Sequence, residues 1–429
     1  MEQKIKMRNS EKYMDKVLEF AGKIQTNKYL MSVSRGLMAT LPINIIGSIC
    51  LLLAVLPVEF WNNFINNAGL TPYLFTTFSL TVGIISVYAS FLMGYQMAKN
   101  FGHANGIPAG LVALFGFLMM TPMFVHDGGS TLDSGRLGAT GLFTAIISSL
   151  LFARIYILAF DKKLVIKMPE GVPPFVADTF AGLVPITITA LIAILMSWLF
   201  GFTTWGSFAD FTFEMLAMPL QGLSSNVGSL LFIVFVQMFL WFFGIHGSHV
   251  VGGFVAALYL PMDIANMEAF AAGVPNSELP NIMGQTFYNI FSGIGGAGGT
   301  LSLIIVILLM SKSKQSKAVA SLAAVPGMFT INEPIVFGFP MILNPLMAIP
   351  FITVPLVQTL IAYAGIASGI FPRLSGVQVP FGTPIFVNGF IAGGWMIPIL
   401  QVICVAAGCL IYYPFMKASD KRSMESKEA

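Results

Sequence analysis

The chain has 429 residues, 56% of them hydrophobic and only 10% charged, with a mean hydropathy of +0.81. Soluble domains carry roughly 25% charged residues, so water is excluded as the main solvent. Uncharged blocks of ~20 residues also exclude an outer-membrane barrel of short alternating strands, and a net charge of +3 gives nucleic-acid binding no support.

Residues 9–30 place Tyr13, Met14, Val17, Leu18, Ala21 and Ile24 at helical spacing with Lys and Glu opposite. The pattern predicts an amphipathic helix lying on the membrane surface. No cleavable leader is expected, because mostly polar residues precede the first apolar block. Ten spans follow, at about 36–56, 76–98, 106–125, 138–160, 179–202, 225–244, 249–272, 284–310, 345–370 and 388–414. The seventh is broken by Pro261 and followed by Asp263 and Glu268. Segment 203–222 mixes Trp205, Phe208, Phe211, Phe213 and Met215 with Asp210 and Glu214, and reads as interfacial.

Basic residues collect in the N-terminal segment (Lys4 to Arg35), at Lys99, at Lys162, Lys163 and Lys167, at Lys312, Lys314 and Lys317, and in the tail (Lys417, Lys421, Arg422). Ten spans put all these clusters and both termini on the cytoplasmic side. Arg136 and Arg373 break the pattern and are expected outside or in a pocket. The second half gathers short, Gly- and Pro-broken apolar segments and isolated ionisable groups, the signature of a binding site at membrane depth. The expected organisation is therefore an interfacial segment 1–30, a five-span scaffold 31–202, an interfacial linker 203–224, a substrate-binding and transport domain 225–416 and a tail 417–429.

Two constellations carry chemistry. Glu333 is the only charged residue between Lys317 and Arg373, in TINEPIVFGFP, where Pro334 and Pro340 forbid a simple continuous helix. A lone acid at a span centre costs about 2.5–3.5 kcal/mol on insertion scales, so it faces a partner or water. A surface turn between two spans is the plain alternative; a re-entrant hairpin with Glu333 at its tip fits the short flanking segments better. The second constellation is WFFGIHGSHVVGG, with Trp241, His246 and His249 in a stretch without Asp, Glu, Lys or Arg between Glu214 and Asp263. Its glycines permit tight turns and close backbone approach. A satisfied core histidine is the bland reading, and the glycine frame favours a site for His246. For His249 both readings stay open.

Weaker features are read as structure. Cys50, Cys404 and Cys409 lie in apolar runs without ligand spacing, and the histidine pair lacks third and fourth zinc ligands. No metal or other cofactor is expected. GIGGAGGT at 293–300 lacks the Lys-Ser/Thr ending of a phosphate loop and reads as close helix packing. Phe381 and Trp395 flank VPFGTPIFVNGF as belt residues, with Phe381 able to stack on a sugar face. His103 and His126 read as loop residues near the interfaces.

FFGIHG, INEPIVFGFP, the following ILNPL and VPFGTPIFVNGF together resemble the sugar-translocating IIC subunit of the lactose/cellobiose/diacetylchitobiose phosphotransferase systems, over about Arg35 to Pro414. The resemblance implies a homodimer of ten-span protomers in the bacterial inner membrane, with two re-entrant hairpins, interfacial helices and dimerisation through the first half. It implies that His246 and Glu333, as the catalytic pair, contact the 6-hydroxyl of a disaccharide. Asn332, His249, Trp241 and Phe381 would complete the binding site. The phosphoryl group would come from a phosphocysteine on a separate IIB protein, supplied by IIA, since the chain leaves no room for either domain. His249 stands where Asn or another small polar residue is expected, and Phe381 where Trp is common; both bear on substrate choice. A sugar/proton symporter using Glu333 and His246 is the main rival, opposed by the lack of a second buried acid or an Arg–acid network in the spans. A membrane hydrolase would need paired carboxylates, and one is evident.

Overall fold

The computed structural model describes residues 26–428 and Lys23, apart from 57, 127–128, 167–168, 170, 172–179, 340 and 381. The expected surface helix over 9–30 therefore lies mostly outside the described residues. The chain forms two compact units, residues 1–42, 83–219 and 252–257 in the first and residues 43–82, 220–251 and 258–429 in the second.

In chain order the helices are α1 (Lys28–Ala39), α2 (Leu41–Val55), α3 (Glu59–Asn67), α4 (Thr71–Thr81), α5 (Ile85–Asn100), α6 (Ile107–Met120), α7 (Leu142–Asp161) and α8 (Leu183–Phe200). There follow α9 (Phe208–Thr212), α10 (Met218–Ser224), α11 (Val227–Phe242), α12 (Gly247–Ala271), α13 (Gln285–Phe291), α14 (Thr300–Met310) and α15 (Lys314–Met328). The last are α16 (Glu333–Gly338), α17 (Pro345–Ala367), α18 (Val387–Gly393) and α19 (Met396–Glu428). Asn27 starts α1 by accepting from the amides of Tyr29 and Leu30 at 3.0 and 3.1 Å, which satisfies two of the donors a helix start leaves open.

Each of the ten predicted spans overlaps helical residues, and the first, second, eighth and tenth each take in two helices. Among the described residues seven helical stretches are long and apolar enough to cross a membrane, and three more, Ile107–Met120, Val227–Phe242 and Thr300–Met310, are apolar but shorter. Trp198, Leu322, Leu410 and Trp395 are exposed, an arrangement that lipid tails satisfy and water does not. The chain is thus a multi-pass helical membrane protein.

The first unit packs α5, α6, α7 and α8 around Met97, Ala113, Phe117, Phe152 and Ile157, all fully buried. Gly116 permits the approach of α6 to α7, since a Cβ there would meet the Phe152 ring at 2.0 Å. Arg136, expected outside or in a pocket, is paired with Asp210 and stacked 4.8 Å from the Phe213 ring. Segment 208–224, broken into α9, a π-turn over Phe213–Ala217 and α10, thereby acquires an ion pair with the turn that precedes α7. One departure from an all-α chain is a short antiparallel hairpin pairing Met123–His126 with Gly129–Leu132, which places His126 on a strand.

The second unit holds the broken elements, and two expectations need correction. The eighth span is not one packed helix. Glycines 293, 295, 296, 298 and 299 all take positive φ and interrupt it between α13 and α14, so 293–299 is a loop; only glycine adopts that backbone freely. The seventh span, by contrast, runs unbroken as α12 through Pro261. It carries Asp263 at 1% exposure, whereas Glu333, the acid expected to be buried, is exposed, so the buried acid among the described residues is Asp263.

Candidate functional site

The second unit presents two hairpins. In the first, α15 and the short α16 are joined by a turn over 329–332 in which Thr330 takes φ +62°. Glu333 opens α16, followed by Pro334 where helix starts tolerate proline. In the second, residues 372–380 run without helix and α18 returns. The tips meet, the Ile385 amide donating to the Met328 carbonyl at 2.8 Å.

Trp241, His246 and His249 gather at the junction of α11 and α12. A left-handed Gly244 (φ +80°) turns the chain out of α11, and His246 is the residue preceding the first turn of α12. The Trp241 and His246 ring centroids are 4.3 Å apart, and the His246 and His249 rings stack at 3.9 Å. Trp241 is buried and its indole N–H points to Ser248 Oγ at 3.5 Å. Ser248 Oγ also accepts from Gln237 Nε2 at 2.8 Å, and Gln237 Oε1 accepts from the Tyr288 hydroxyl at 2.7 Å. This network fixes the indole and the start of α12, and no sequence pattern announces it, because Gln237 and Tyr288 are 51 residues apart and single Gln, Ser and Tyr residues form no motif.

His246 Nδ1 is buried and has no hydrogen-bond partner. A buried polar atom left so needs an explanation. Glu333 is exposed, and its charge is close enough to act on the His246 imidazole. Trp241, His246 and His249 are thus brought together, and Glu333 stands on the separate α16 turn. Asn332 is buried with its amide donating to the Ala297 carbonyl at 2.8 Å, which ties the Glu333 turn to the glycine loop. A Cβ at Gly296 would meet Asn332 Cγ at 2.5 Å, which is why that loop needs glycine. Phe381 lies outside the described residues, and Trp395 packs on Phe390 at 4.7 Å. Among the described residues no group of three or more His, Cys, Asp and Glu could hold a metal.

Interrupted helices and an unsatisfied imidazole in an apolar, multi-pass bundle define a membrane transporter for a polar solute. The chain matches the family Phosphotransferase system, EIIC over residues 34–355, and it belongs to that family of sugar permeases. It is 34% identical to the oligo-beta-mannoside-specific EIIC component of Bacillus subtilis (strain 168), over 97% of this chain and 96% of that protein. Identity is also 34% to the cellobiose-specific EIIC component of Geobacillus stearothermophilus, over 97% of this chain and 95% of that one. Among solved structures it is similar to the transporter ChbC, the IIC component from the N,N'-diacetylchitobiose-specific phosphotransferase system, with a TM-score of 0.89 at 32% identity. That match covers 96% of this chain and 98% of the other.

Proposed function

We propose that this permease takes up a β-linked disaccharide of the diacetylchitobiose or cellobiose class and presents its 6-hydroxyl to a phosphocysteine on a separate IIB protein. The carrying observation is the buried, unpartnered Nδ1 of His246 beside Trp241, within electrostatic reach of Glu333. An imidazole nitrogen of that kind accepts or donates one hydrogen bond to a sugar hydroxyl, and the Trp241 ring offers a neighbouring apolar face. The relatives' substrates, a β-mannoside, cellobiose and diacetylchitobiose, support the same class.

In the transfer step the sugar's 6-oxygen attacks phosphorus, the S–P bond to IIB breaks and the O–P bond forms. Glu333 takes or orients the hydroxyl proton, and His246 steadies the developing charge. Asn332 shapes the turn that carries Glu333, while His249 and Phe381 bear on the choice of sugar. Residues 225–416 act as the transport domain moving against a 31–202 scaffold, in a homodimer with both termini cytoplasmic. Phosphorylation traps the sugar, so no ion gradient is needed.

Asp263, the buried acid, does not supply a coupling site for proton symport. Its Oδ2 is occupied by bonds from Thr286 and Gln378. The deciding experiment is uptake into reconstituted vesicles, with phosphoenolpyruvate and the soluble partners in one arm and a proton gradient alone in the other. Accumulation of sugar phosphate only in the first arm is expected; gradient-driven accumulation of free sugar would overturn the reading.

A further inference from the structure

Residues Leu374–Gln378 are buried yet belong to no helix or strand. Irregular backbone at membrane depth survives only where protein groups satisfy it, and α12 supplies much of what it needs. Asn266 Nδ2 donates to the Leu374 carbonyl at 2.9 Å. Asp263 Oδ2 accepts from Gln378 Nε2 at 2.9 Å, from the Thr286 amide at 2.7 Å and from the Thr286 hydroxyl at 2.8 Å. Gln378 Nε2 also donates to the Gly376 carbonyl at 3.0 Å, and the Gln378 amide reaches Ser48 Oγ at 3.3 Å.

The backbone on both sides comes as near as glycine allows. A Cβ at Gly284 would stand 1.9 Å from Asp263 Oδ1, and one at Gly376 2.1 Å from the Asp263 carbonyl oxygen. Asp263 and Asn266, three residues apart, lie on one helix face and fasten both the 281–286 segment and the 374–378 limb to α12. Beyond the limb lies the second hairpin's tip, which bonds to Met328 near the Glu333 turn.

We propose that Asp263 is a positioning residue for sugar binding. By holding Thr286 and Gln378 at once, its carboxylate fixes how deeply the 374–386 limb sits, and through Ile385 and Met328 where the Glu333 turn meets the sugar. Asp263 touches no substrate itself. The proposal rests on the sugar-binding reading above, and its test separates the two.

The test uses the full chain in detergent, with a variant lacking the native cysteines as background. Asp263→Asn loses the charge that strengthens these bonds, and Gln378→Leu removes the limb's half of one of them. Spin labels at Thr383, on the tip, and Ser368, at the end of α17, report the limb's position. Each variant should broaden or shift that distance distribution and weaken disaccharide binding by calorimetry about tenfold, as expected for loss of a charge-assisted bond. Because both act on the Asp263–Gln378 bond, their effects on binding should be less than additive in the double variant.

Wild-type distances in both variants would overturn the proposal. So would unchanged sugar affinity beside a lowered melting temperature, which is what a purely structural carboxylate predicts. Should Asp263→Asn fail to fold, Gln378→Leu, in the limb itself, still decides the question. If the parent chain binds no disaccharide, the functional reading fails, and the spin-label distances still judge whether Asp263 holds the limb.

Discussion

Gly247 is where the site's geometry can be tested with a single methyl group. A Cβ there would stand 2.0 Å from the Gln237 carbonyl oxygen and 2.8 Å from its carbonyl carbon. Ordinary contact between carbon atoms is ~3.5–4.0 Å. The neighbour is backbone within α11, so it cannot swing aside as a flexible side chain would. Gly247→Ala must therefore push the start of α12 away from α11 by about 1 Å or more, and His246, the preceding residue, moves with it. Overpacking of this kind costs about 1–3 kcal/mol, and a misplacement of ~1 Å at a reacting site can cost ~100-fold in rate. The expected outcome is a lower melting temperature in detergent and phosphorylation-coupled uptake reduced by about one to two orders of magnitude. Gly252→Ala serves as the control, because a Cβ there meets nothing within 4 Å. It should leave stability unchanged or raise it by about 0.5–1 kcal/mol through helix entropy. A Gly247→Ala variant with wild-type melting and uptake would refute the close approach of α11 and α12 and the placement of His246 built on it.

The other predictions concern chemistry and topology. Glu333→Gln should lower phosphorylation-coupled uptake by about 100-fold or more while sugar binding falls less, as for loss of a general base; near-normal sugar phosphate formation would make Glu333 structural. A disaccharide lacking only its terminal 6-hydroxyl should compete poorly with the parent sugar, since it strands His246 Nδ1 and Glu333. The same deoxy analogue should lose less against Glu333→Ala, and equal losses in both proteins would remove Glu333 from the sugar site. Cysteines placed at Ser313 and Ser426 in a cysteine-free chain should resist an impermeant thiol reagent in intact cells, and labelling of Ser313 from outside would break the ten-span topology.

The spans were legible because hydrocarbon imposes a length and an apolar composition that a sequence cannot hide. Glu333 and His246 were singled out because lone ionisable groups stand out in apolar surroundings. What escaped was whatever depends on distant backbone. Asp263 read as an ordinary polar residue after a proline, because its donors, Thr286 and Gln378, arrive from segments 23 and 115 residues away. The glycines of 293–299 are equally compatible with tight helix packing and with a left-handed loop, and composition cannot choose between them. Arg136 looked solitary because its partner, Asp210, is 74 residues further on.

The Ile385 amide and the Met328 carbonyl, which join the two hairpin tips, are both main-chain groups. No alanine scan can delete their bond, and co-variation between the two positions carries no trace of it, because every residue but proline offers the same donor. A contact of this kind is invisible to side-chain genetics. It would come into view only through a proline at position 385 or an amide-to-ester replacement there, so a mutational map of this permease can leave its hairpin junction blank while the junction still matters.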